Sequence, residues 1–246
     1  MPDFDNYENL LPAAWVDAAI FELHPDYQAV LLVVDGIVPG DSDEHSEGLL
    51  GRAEQAATEA LAEQPVEELP RVASWREAYR SFGTKPQKTR NSLEALLRRS
   101  AEGLPRVNRL TDIYNAVSVA HQIPLGGEDL SGYTGAPRLV RATGEEPFEI
   151  MAQGEPGVEY PKPGEVVWCD EEGVTCRRWN WRQSRRTQLT ADTTSALFIL
   201  DGLDPITADD LNAAADDLVA QLSAFSPDLR TARRLISAQT GEATGP

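Results

Sequence analysis

The residues best suited to chemistry lie between 179 and 184. Trp179-Asn180-Trp181-Arg182-Gln183-Ser184 interleaves two indoles with amide, guanidinium and hydroxyl groups. Aromatic faces stack on bases, and the polar groups between them can read or orient an RNA end. A strand with both tryptophans in the core and Asn180 and Arg182 facing water has the same pattern. Lys85, Lys88 and Arg90 sit in a Gly- and Pro-bearing loop, 83–90, where cations either meet phosphates or simply solubilise the loop. His121 ends a helical pattern, a place where histidine caps or spaces rather than catalyses.

Other signals exclude chemistries. His24, His45, His121 and the pair Cys169 and Cys176 lack the number and spacing of a zinc site, so neither a metal nor another cofactor is expected. The two cysteines are expected to be reduced and packed. The sequence holds no nucleophile elbow, Walker loop or dinucleotide fingerprint, and Gly126-Gly127 reads as a turn.

The formal charge of −18 argues against a polyanionic partner until its distribution is considered. Residues 1–70 carry sixteen acids against Arg52 alone, whereas 71–110 carry ten bases against three acids. Residues 176–190 add Arg177, Arg178, Arg182, Arg185 and Arg186 with no acid. The two basic stretches either converge in the fold as one positive surface or form separate solvated faces.

The elements that must position these groups follow from periodicity. The apolar run 29–38 predicts a buried strand. Helices are expected over 47–63, 74–82, 92–99 (capped by Asn91 with Glu94), 107–121 and 207–225. Strands are expected over 137–142, 165–169, 174–179 and 195–200, with 170–173 as a hairpin connection, and a short helical tail follows 225. This is an α+β chain, β-rich in its second half with flanking helices. It reads as a single domain over 1–246, with a core of about 30–203 and a C-terminal helical extension over 204–246. No apolar run is long enough for a membrane span and the N-terminus lacks a signal-peptide pattern, so a cytoplasmic protein without membrane contact is expected.

Several of these segments together resemble a known family. The helix at 107–119, with Asn108, Asp112 and Asn115, runs on to Pro124-Leu125 and Asp129-Leu130. It is similar to the central editing and tRNA-binding domain of the phenylalanyl-tRNA synthetase beta subunit, and the resemblance extends over roughly 30–203. It implies a free-standing copy that binds the acceptor end of an aminoacylated tRNA and hydrolyses a misplaced amino acid, with no ligase activity. In that reading Lys85, Lys88, Arg98 and Arg99 hold phosphates or the terminal ribose. Asn108, Asn180 and Ser184 orient water or the α-amino group, and Arg182 stabilises charge on the ester oxygen. Thr190 and Thr193 fall on the second pocket wall. Gly126 stands where the family has a pocket histidine, and 179–184 stands where it has a glycine-rich segment with a glutamate. Asp112 and Asn115 are expected to be structural. A non-catalytic RNA or aminoacyl-nucleotide binding module, and a binder of a small amino-acid-like molecule, are the alternatives.

Overall fold

The computed structural model describes Tyr7 and residues 9–240. Two short helices, α1 (Leu10–Ala13) and α2 (Ala18–Leu23), flank the two-residue strand β1 (Trp15–Val16). They lead into β2 (Gln28–Asp35), the strand expected from the apolar run. Its side chains alternate between two cores: Val30, Leu32 and Val34 face one, and Ala29, Leu31 and Val33 the other. Burial on both faces explains why β2 reads as a continuous apolar run.

Helices α3 (Glu44–Glu63), α4 (Pro70–Ser81), α5 (Ser92–Arg99) and α6 (Arg109–His121) follow. Side chains close their open N–H groups: Asp43 and Ser46 form a capping box on α3, Asn91 accepts from Glu94 N on α5, and Asn108 accepts from Thr111 N on α6. After α6 come β3 (Leu125–Asp129), β4 (Arg138–Arg141), the hairpin β5 (Phe148–Ala152) and β6 (Glu155–Glu159), β7 (Val166–Cys169), β8 (Val174–Arg177) and β9 (Arg182–Gln183). Then β10 (Ser195–Gly202), α7 (Ala208–Ser223) and β11 (Arg230–Ser237) complete the fold.

The strands form an antiparallel sheet ordered β11-β2-β10-β3 and a second sheet ordered β1-β4-β7-β8-β9, with β5 and β6 paired alone. Helices α3, α5, α6 and α7 cover the outer face of the first sheet through Leu50, Leu97, Ile113 and Leu218. Its inner face packs on the second sheet and on α4, burying Leu197, Ile199, Trp168, Trp75 and Tyr79. The architecture is therefore α+β, helices over a central sheet over a smaller sheet, as the periodicities imply.

Three local expectations are corrected. The helical tail after α7 is instead β11, which pairs with β2 from Arg230↔Asp35 to Ser237↔Gln28. Its Arg, Ala and Leu content favours helix, and long-range pairing overrides that weak preference. Gly126-Gly127 is not a turn: both lie in β3, held by β10 through Ile199↔Gly126 and Phe198↔Gly127. The strand expected over 174–179 stops at Arg177 because Arg178 and Trp179 adopt left-handed backbone, with φ of 49° and 68°.

Candidate functional site

The two basic stretches meet. Arg178 Nη1 donates to Thr89 Oγ1 at 2.8 Å, Ser92 N to Asn180 O at 3.0 Å, and Tyr79 OH to Asn180 Oδ1 at 3.1 Å. Most of their charge is spent inside the protein. Arg76 and Arg98 bind the fully buried Glu94 carboxylate, Arg106 bridges Glu47 and Glu54, and Arg109 binds Asp43. In the second stretch Arg177 holds Glu159 and Glu165, Arg185 holds Glu149, and Arg186 holds Asp170. The expected positive surface is thus reduced by acids from elsewhere in the chain. Among the described residues Lys85, Lys88, Arg99 and Arg182 make no ion pair, and Arg90 approaches Glu94 only at 3.9 Å.

At the junction, the left-handed turn is a strained feature with a structural cause. A bulky residue at positive φ costs on the order of 1–3 kcal/mol and needs its surroundings to enforce it. Trp179 is fully buried, its ring 5.0 Å from that of Tyr27 and 5.3 Å from that of Trp75, and its backbone N–H donates to Val166 O at 2.7 Å. Anchoring Trp179 in this way turns Asn180 towards Asp201 on the inner face of the first sheet.

Asn180 there borders a small chamber of about 10 Å³, lined also by Gly126, Glu128, Gln183 and Asp201 with Trp168 and Trp179. It is roughly the room one water centre requires. Asp201 accepts from Tyr27 OH at 2.6 Å and from Asn180 Nδ2 at 3.3 Å. Burial pushes its carboxyl up to about 7 against those hydrogen bonds. Glu128 is 1% exposed and is likewise pushed up to about 7 by burial, opposed by Tyr133 and Thr175. Its Oε2 accepts from Tyr133 OH, while its Oε1 has no hydrogen-bond partner among the described residues. Gln183 closes the chamber over Gly126, where an added Cβ would stand 2.6 Å from Gln183 Nε2.

Outside this lid an open groove of about 270 Å³ runs between α5 and α6, bordered by Ser92, Arg99, Tyr114, Asn115, Leu125 and Gln183. Ser92 and Gln183 line both spaces, so the groove abuts the chamber. A shallower recess on the same helix adds Arg90 and Arg98 beside Arg99. A larger recess of about 890 Å³ opens elsewhere, beside Asp35, Asp129, Asp192 and Asp228, where four carboxylates make a poor seat for phosphate.

The expected site residues divide between these places. Asn180 and Gly126 line the chamber and Arg99 borders the groove. Asn108 lines neither: its side-chain Oδ1 accepts from Thr111 N at 2.8 Å as the α6 cap. Arg182 adjoins Gln183 in β9, so the two point to opposite faces. Its guanidinium lies 5.9 Å from the ring centres of both Phe148 and Trp181 rather than in the chamber. Ser184 is buried, with its hydroxyl 3.4 Å from Glu149 O. Thr190 and Thr193 build a turn in which Thr193 Oγ1 donates to Asp129 Oδ2. Arg98 is held by Glu94 and Glu67, and Lys85 and Lys88 remain on the loop leading to α5.

Sequence reasoning missed Glu128 and Asp201 and gave Gln183 no role of its own within 179–184. One signal was present: Glu128 and Asp201 are acids inside β3 and β10, strands built mostly of Gly and apolar residues, and such local conflicts concentrate at functional sites.

Residues 74–223 match the family model of the B3/4 domain, and the chain belongs to that family. Among solved structures, a similar one is the N-terminal fragment of the phenylalanyl-tRNA synthetase beta subunit from Pyrococcus horikoshii. It shares 12% identity with a TM-score of 0.43, over 89% of this chain and 49% of that one. This chain thus spans about half the length of that fragment. None of the curated proteins matches. Among the described residues no helix is long and apolar enough to cross a membrane.

Proposed function

We propose that the protein binds the acceptor end of an aminoacylated tRNA and hydrolyses the ester of a wrongly attached amino acid. B3/4 domains occur in the phenylalanyl-tRNA synthetase beta subunit, which favours a tRNA-related ligand. The observation that carries the reading is the groove edged by Arg99 and abutting a small chamber with two buried carboxyls. The groove offers a cation, an aromatic ring at Tyr114 and the Asn115 amide, a set suited to a terminal nucleotide bearing an α-amino ester. Lys85, Lys88 and Arg90 extend positive charge along the approach, where backbone phosphates arrive.

Ser92 and Cys176 line the chamber and no histidine does: the Ser92 hydroxyl has no hydrogen-bond partner among the described residues to activate it, and burial holds the Cys176 thiol well above the usual range. The reaction therefore uses water. In this reading Asn180 keeps the role of orienting polar groups, and the groove's shape selects the amino acid.

Purified protein is incubated with a panel of mischarged tRNAs and ester loss is followed. Release of one or a few amino acids above the buffer rate supports the reading. Tight tRNA binding with no release leaves the non-catalytic module, and binding of a free amino acid in the absence of tRNA leaves the small-molecule binder.

A further inference from the structure

We propose that the chamber holds the hydrolytic water and that Glu128, through its Oε1, is the base that deprotonates it. This rests on the deacylase reading above and adds the group that performs its chemical step.

The geometry singles out Glu128 over Asp201, the other acid lining the chamber. Asp201 has both oxygens engaged, one by Tyr27 and one by Asn180, so it holds Asn180 in place and is a positioning residue. Glu128 has one oxygen tied to Tyr133 OH, which fixes the carboxyl plane, and its other oxygen is buried without a partner. A buried, unpaired carboxylate oxygen carries a desolvation cost that a hydrogen-bond donor in the chamber removes. The space admits about one water. Ser92 Oγ, also buried and without a partner, and the Gln183 amide border the same space and supply further hydrogen-bonding groups. A water there sits immediately behind the groove in which the ester lies.

In the step itself, a water O–H bond breaks and its proton passes to Glu128 Oε1. The oxygen bonds to the ester carbonyl carbon, giving a tetrahedral species. That species collapses with cleavage of the bond to the ribose oxygen, which takes up the proton from Glu128. A free amino acid and a free tRNA hydroxyl leave, and the enzyme is unchanged. No metal, redox partner or covalent intermediate enters the balance.

The charges around Glu128 suit a base operating near neutrality. Tyr133 follows it in the chain, Asp170 faces it after β7, Cys176 from β8, Arg186 after β9, and Asp201 shares its chamber from β10. Asp170 disfavours a second negative charge nearby, Arg186 favours it, and burial outweighs both.

Steady-state hydrolysis of a mischarged tRNA is measured for the full chain from pH 5.5 to 8.5. Expected for the unaltered protein is a kcat that rises through about pH 7 to a plateau, the inflection matching the Glu128 carboxyl. Glu128→Gln preserves shape and the acceptor for Tyr133, and it is expected to lower kcat by about 10²-fold or more, with KM within about twofold and no inflection. Tyr133→Phe removes a hydrogen bond that favours the carboxylate, so its inflection moves to higher pH; this second variant carries the test if Glu128→Gln does not fold. An active wild type whose Glu128→Gln variant keeps rate and profile overturns this assignment alone, as does an inflection unmoved in Tyr133→Phe. A wild type inactive on every mischarged tRNA overturns the deacylase reading and this step with it.

Discussion

Gln183 lies over Gly126 so closely that a methyl group on that glycine would stand 2.6 Å from the amide nitrogen, with the next atom, Gln183 Cδ, at 3.8 Å. The obstruction is thus the mobile end of one side chain. Gly126→Ala is expected to displace Gln183 at little cost to stability, within about 0.5–1 kcal/mol, while changing chamber closure and so the hydrolytic rate. At Gly127 the same methyl meets Leu189 Cδ1 at 2.6 Å and Phe198 Cε1 at 2.8 Å, both inside the core. Gly127→Ala is expected to destabilise by about 1–3 kcal/mol through overpacking. Urea unfolding of the two variants side by side checks the contrast, and equal losses would contradict the view that Gln183 is a movable lid.

A second expectation separates Asn108 from the site. Its side chain caps α6, and Asn115, which borders the groove, lies seven residues along that helix, a rise of about 10 Å. Asn108→Ala should cost about 1 kcal/mol, as loss of an N-cap does, and leave kcat and KM for ester cleavage unaltered. Asn108→Asp keeps the acceptor and should retain the stability. A large fall in kcat for Asn108→Ala at full folding would return Asn108 to the reaction.

The helices were legible because their signals are local. Asn91 before Glu94 and Thr207 before Asp210 announce helix starts, and both caps form. The apolar run of β2 was equally plain. What sequence could not supply depends on partners remote in the chain. β3 contains two glycines, the residue least suited to strands, and exists because β10 pairs with it. β11 exists because β2 offers an edge. The site was half legible: 179–184 was singled out, yet which of its side chains faces inward depends on the left-handed turn at Arg178-Trp179, set by a tryptophan packed among rings from α4 and the segment between α2 and β2. With that turn in place Gln183 faces Gly126, and Arg182 faces Phe148 and Trp181. The arginine count misled for a related reason, since the acids that neutralise Arg106 and Arg109 come from α3 and the residue capping it.

The pH dependence of stability follows from Glu128. Its usual value of 4.5 is raised to about 7 in the folded protein, so between those values the native state retains a proton that the unfolded state has released. Stability contributed by this group is complete below about 4.5 and declines as pH rises to about 7, at up to about 1.4 kcal/mol per pH unit, after which it is level. Glu128→Gln has no such proton, so its stability relative to wild type should increase from pH 5 to pH 7.5. Urea midpoints at half-unit intervals measure this difference, and parallel curves for the two proteins would show that the carboxyl titrates normally.

Salt dependence distinguishes cations that meet phosphate from those that hold the fold together. Arg99 borders the groove without an ion pair among the described residues, whereas Arg76 and Arg98 share the buried oxygen Glu94 Oε1, at 2.7 and 2.9 Å. If Arg99, Lys85 and Lys88 each neutralise a phosphate, every substitution to Gln should weaken tRNA binding. Each should also reduce the slope of log affinity against log salt by about 0.7–0.9, because one fewer counterion is released on binding. Unfolding midpoints should be unmoved. Arg76→Gln should do the reverse: it leaves Glu94 buried with one charged partner fewer, lowering stability by about 1–3 kcal/mol, while the salt slope of the folded fraction stays at the wild-type value. Binding titrations at three salt concentrations, paired with urea unfolding, resolve both quantities for each variant. A flat salt response in the wild type would mean that the ligand meets this surface without its phosphates.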